Sequence, residues 1–150
     1  MTDTNYDIRT LNGLIATTID SVDGYRTSAE AVDSTRFAEQ FTARASERSS
    51  VAEQLRGEVR KLGGNPEEDG TLLAGAHRRF VNLKSAVIDR DDQAIVDEVE
   101  RGEDHIKAKF EDALKDEKLS PATRSLVESC FGSIKSGHDE MSQLKHQLDA

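Results

Sequence analysis

The chain has 150 residues and a formal charge of −9, with one cysteine, two prolines, no tryptophan and a third of its residues charged. That length suits one domain with a single core, and the sparse aromatics and prolines favour helices over a β-rich fold. The acidic balance argues against a nucleic-acid binder, whose affinity comes largely from clustered Lys and Arg; only residues 54–90 carry a small basic excess. A single cysteine, Cys130, cannot form an internal disulfide, the opening MTDTNYDIRT lacks the pattern of a signal peptide, and no apolar run approaches a membrane span. A cytoplasmic protein without membrane contact is the expectation.

Leu11, Ile15, Thr18, Val22, Tyr25 and Ala29 recur at steps of three and four and predict a first helix over about 7–32. Asp7 falls in its first turn, where an acid favours the helix dipole. Asp33 or Ser34 then caps a second helix over about 34–62, whose stripe reads Phe37, Phe41, Arg44, Arg48, Val51, Leu55, Val59 and Leu62. Two arginines interrupt that stripe. Gly63-Gly64 followed by Asn65-Pro66 ends the helix.

Residues 63–90 are too long for a hairpin link and carry their own short helical pattern over about 71–87. A third helix follows over about 91–118, with Ile95, Val99, Gly102, Glu103, Ile106, Phe110 and Leu114 in line. Ser120-Pro121 places a serine cap before a proline at the first helical position, opening a fourth helix over about 121–148 through Val127, Cys130, Ile134, His138, Met141, Lys145 and Leu148. Short links make two antiparallel hairpins, and the long connection between the second and third helices is the crossover of a ferritin-like four-helix bundle.

The pieces LNGLI, LGGNPEEDG, HRRFVNLKSA and ERGED, in this order and spacing, resemble a bacterial ferritin-like family of four-helix bundles known as a domain of unknown function. The resemblance spans Leu11 to about Met141. It implies an all-α bundle in a bacterial cytosol, associated with stress, and no established reaction.

A bundle-centred di-iron site needs a Glu from each of two helices and a Glu-x-x-His pair from each of the others. Neither pair is present: Glu47 is followed three residues on by Ser50, and His138 is preceded by Lys135. At ~100° per residue, Asp20 points away from the first stripe, whereas Asp23 and Glu47 lie at flanks. Arg44 and Arg48 face inward at the level of Glu103 and His138. The arrangement therefore predicts an interior charge layer of Arg44, Arg48 and Glu103, with Tyr25 or His138 assisting, since a fixed guanidinium repels a dication and matches a carboxylate. The alternatives are arginines that snorkel to water, or an iron or manganese site built from Glu103, His138, Glu47 and Asp23.

No catalytic residue is assigned and no cofactor is expected beyond that alternative. Cys130 sits on an apolar stripe and reads as a small buried hydrophobe. His105 reads as a side-facing surface residue, and His77 belongs to a basic patch. The expected mode of action is interaction with a second copy of the chain or with a protein partner, and the expected surface is Leu72, Leu73, His77, Arg78, Arg79, Phe80 and Val81 on the crossover helix.

Overall fold

The computed structural model describes residues 4–70 and 91–149. The regular elements among these residues are four helices: α1 (Thr4–Ala31), α2 (Thr35–Lys61), α3 (Asp92–Lys115) and α4 (Pro121–Asp149). The helix expected at 71–87, and with it the surface of Leu72, Leu73, His77, Arg78, Arg79 and Phe80, lies outside the described residues. None of the described helices is long and apolar enough to cross a membrane.

The helix ends follow from local chemistry. Ser34 caps α2 through a bond from Phe37 N to its Oγ at 3.2 Å. At the other end Gly64 N donates to Val59 O and Gly63 N to Arg60 O, the paired bonds of a Schellman motif, with Gly63 at φ 87° where only glycine is unstrained. Asp91 caps α3 by accepting from Gln93 N at 3.0 Å. That helix stops at Lys115, three residues short of the expected limit. Asp116 N bonds back to Ala113 O and the Asp116 carboxylate accepts from Lys118 N, closing a turn. Arg124 reaches back from α4 to the carbonyls of Leu114 and Asp116, satisfying acceptors that a helix end leaves open.

Two further caps come from the opposite hairpin. Asp92, in the first turn of α3, accepts from the backbone N–H groups of Asp33 and Ser34 at 2.9 and 3.2 Å, holding the α1–α2 turn. Asp7, in the first turn of α1, is buried and accepts from Ser120 N at 3.2 Å and Thr123 Oγ1 at 3.3 Å, holding the α3–α4 turn. These contacts place the start of α3 beside the α1–α2 turn. The end of α2 lies at the other pole, where Asn12 on α1 bonds Asn65 O and Glu67 N. The end of α2 and the start of α3 thus lie at opposite poles of the bundle.

Helices pack closely within the two hairpins, α1 on α2 and α3 on α4, and the hairpins meet through α1–α3 and α2–α4. Helices α2 and α3 face each other across a diagonal. The core divides into two apolar clusters. One is built around Leu11, Ile15, Val51, Leu55, Ile106, Phe110, Val127 and Ile134, and the other around Tyr25, Phe37, Phe41, Ile95, Val96, Val99 and Met141. Between them lies a polar layer.

Candidate functional site: a charged layer in the bundle

All four helices contribute to this layer, with Ser21 from α1, Arg48 from α2, Glu103 from α3 and Gly137 from α4 at its centre. Arg48 is fully buried and Glu103 is 1% exposed, so neither charge reaches water. They meet in a two-pronged pair, Nη1 to Oε1 and Nη2 to Oε2, both at 2.7 Å. Parallel bonds of this kind are the strong form of a charge-assisted contact. Nη1 also donates to Ser21 Oγ at 2.9 Å, and Nη2 lies 3.5 Å from Ile134 O. The guanidinium carbon stands 5.7 Å from the centre of the Tyr25 ring, within reach of a cation–π contact.

Gly137 makes this geometry possible. A Cβ at that position would collide with Arg48 Nη2 and come within 3.2 Å of Glu103 Oε2. The apolar stripe of α4 runs from Ile134 to Met141 and can pass through either 137 or 138. Reading it through His138 missed the glycine. The signal was present, a glycine at stripe spacing opposite an inward arginine, but it became meaningful only once the helices were paired.

Arg44, expected in the same layer, sits one turn away at the rim. It bonds Glu47 on its own helix at 2.7 Å and Glu140 of α4 at 2.6 Å. Tyr25 is buried beside the pair. Its phenol is pushed well above the usual tyrosine range by burial first and then by the Glu103 charge, against the opposing effect of Arg48. The hydroxyl faces Glu103 without meeting hydrogen-bond geometry.

The structure does not bring Glu103, His138, Glu47 and Asp23 together as a metal site. Glu103 is held by Arg48, and Glu47 by Arg44 at the rim. Asp23 is half-buried on α1, its carboxyl raised above the ordinary value by burial and by Asp20, with Arg26 acting in the opposite direction. His138 turns away from the interior: its Nε2 lies 2.6 Å from Asp104 and its Nδ1 3.3 Å from Asp139. For Glu103 and Glu47 the physical reason is competition, since each is already bonded to a guanidinium that a cation would have to displace.

Asp20 also departs from expectation. It is buried, because α1 is covered by more than its two helical neighbours: the chain returns to it at Gly70, where a Cβ would collide with the Asp20 carboxylate. Asp20, Tyr25, Ser28, Glu103 and His105 are among the residues lining a small pocket of about 50 Å³ between α1 and α3. Cys130 is buried. Desolvation pushes its thiol up to about 11, so it is a poor nucleophile, and its Sγ lies 3.8 Å from Gln54 Oε1.

No curated protein matches the chain. A family model does match residues 7–116, from the first turn of α1 to the end of α3, which includes Ser21, Arg48 and Glu103 but not Gly137 or His138. The chain thus belongs to the family described as Domain of unknown function (DUF2383).

Proposed function

We infer that this protein is a non-enzymatic helical bundle, built on a ferritin-like scaffold, that works in a bacterial cytosol by self-association or by docking a protein partner. The observation that carries this reading is the Arg48–Glu103 pair. It fills mid-bundle, where a ferritin-like metal centre would need free inward carboxylates, with a buried guanidinium already bonded to one of them. The opposite-pole placement of the end of α2 and the start of α3 supports the ferritin-like topology. Self-association is favoured by a core split into two small clusters, since a second copy would bury apolar area that a thin core lacks. Involvement in a stress response belongs to the same reading and rests on the resemblance of the sequence motifs alone.

Light scattering across a range of concentrations tests it directly. A mass above that of the 16.5 kDa chain, or a defined complex recovered with a protein partner, is expected. A monomer at every concentration with no partner recovered would count against it. Iron or manganese held in the bundle interior is the competing reading. It requires Glu103 to leave Arg48, and metal bound by wild-type protein but lost in Glu103→Gln would favour it.

A further inference from the structure

We propose that Glu100 and Asp104 of α3, with His138 of α4, form a binding site for one divalent first-row transition cation on the flank of the α3–α4 hairpin, separate from the interior layer. One ligand atom from each of the three lies within 4.8 Å of the other two, the spacing at which a single ion can be bound by all three. Glu100 and Asp104 are four apart on one helix, so their side chains project from the same face, and His138 meets them from the adjoining helix.

The donor set is two hard carboxylate oxygens and one imidazole nitrogen, which suits Zn²⁺ or Mn²⁺ with water in the remaining positions. Selectivity for a divalent ion over an alkali ion follows from the two carboxylates and the nitrogen donor. The site uses none of Glu103, Glu47 and Asp23.

The imidazole is also set up from behind. Its Nε2 points at Asp104, 2.6 Å away, while Nδ1 lies 3.3 Å from the Asp139 carboxylate. A carboxylate on the rear nitrogen is the partner that metal-binding histidines usually have, because it fixes the ring orientation and the tautomer that presents the other nitrogen to the ion. Asp139 is not one of the three ligands, so this contact is an observation independent of their clustering. The His138 side chain is only 15% exposed, which holds the ring in place, whereas that of Asp104 is 58% exposed and leaves the ion a path from solvent.

Lys145, two turns along α4, places Nζ 3.4 Å from Glu100 Oε2. Its ammonium neutralises part of the carboxylate charge that a dication would otherwise meet. Binding therefore competes with this ion pair, and removing the lysine should tighten it. An ion in this position would tie α3 to α4 and stabilise the folded chain by mass action; no reaction is assigned to it.

Titration of the full-length protein with Mn²⁺, followed by loss of the free-ion EPR signal, and with Zn²⁺ by calorimetry, tests the proposal. One equivalent is expected, weakened at least tenfold in His138→Gln and in Asp104→Asn, weakened about 10–100-fold in Asp139→Asn, and tightened in Lys145→Met. Circular dichroism of each variant shows whether it is folded. Glu103→Gln should leave the affinity unchanged, which separates this site from any interior one. No binding by wild-type protein, or binding that persists in both His138→Gln and Asp104→Asn while they remain folded, overturns the proposal.

Discussion

Arg48 and Gly137 are complementary: the guanidinium of one occupies the space that the missing side chain of the other leaves open. Through this gap the arginine reaches Glu103 across the bundle diagonal and joins α2 to α3, which otherwise scarcely touch.

Replacing Arg48 by Met should destabilise the protein by about 3–5 kcal/mol, since Glu103 would be left as a buried, unpaired charge. Replacing both, as Arg48→Met with Glu103→Leu, should recover most of that loss or exceed wild-type stability. Urea unfolding of the single and double variants measures both. If the double variant is as unstable as the single, the cost does not come from the stranded charge.

Gly137→Ala should cost about 1–3 kcal/mol by forcing Arg48 out of its place, the usual range for overpacking a core. Gly132→Ala, five residues earlier on an exposed face with nothing within 4 Å of the added Cβ, should instead stabilise by about 0.5–1 kcal/mol through helix propensity. Opposite signs in thermal melts would show that the first effect comes from the layer and not from the helix backbone.

Asp7→Ala should lower stability by about 1–2 kcal/mol, because Ser120 N and Thr123 Oγ1 lose their acceptor at the start of α4. Exchange of the Ser120 amide proton should accelerate by more than that of amides in mid-α4.

Two groups bear on alkaline stability. The thiol of Cys130, raised to about 11, and the phenol of Tyr25, raised well above 10, both favour the protonated form in the fold. Each contribution is complete below the pKa of the unfolded chain, close to 9 for the thiol and 10 for the phenol, and is lost as pH climbs from there through the folded value. The thiol should resist a disulfide reagent at pH 8 until the chain is unfolded. In the difference between wild type and Tyr25→Phe, phenolate absorbance from Tyr25 should appear only together with loss of helical circular dichroism.

The helices and their pairing into hairpins were legible because apolar spacing, caps and breakers are local signals: Ser34, Gly63 and Pro121 act within a turn of where they stand. The inward arginine was legible for the same reason, since Arg48 lies on a stripe with Phe41 and Val51. Gly137 was not, because its meaning is the space that another helix fills. Nor was Asp20, whose burial depends on the chain returning at Gly70 from fifty residues on. The contact of His138 with Asp104 depends on how α4 is rotated against α3, and a shift of one residue in the chosen stripe was enough to turn the ring inward on paper and outward in the structure.

The acids at the starts of α1 and α3 bear on how the molecule comes together. Asp7 completes the turn of the hairpin to which it does not belong, and Asp92 does the same in return. Neither half is self-sufficient at its bend. Cut between residues 70 and 91, each fragment would carry a turn with backbone donors exposed and an acid with no turn to hold. Mixed together, the two fragments should regain helicity that neither reaches alone, so the smallest folding unit is the reciprocal pair.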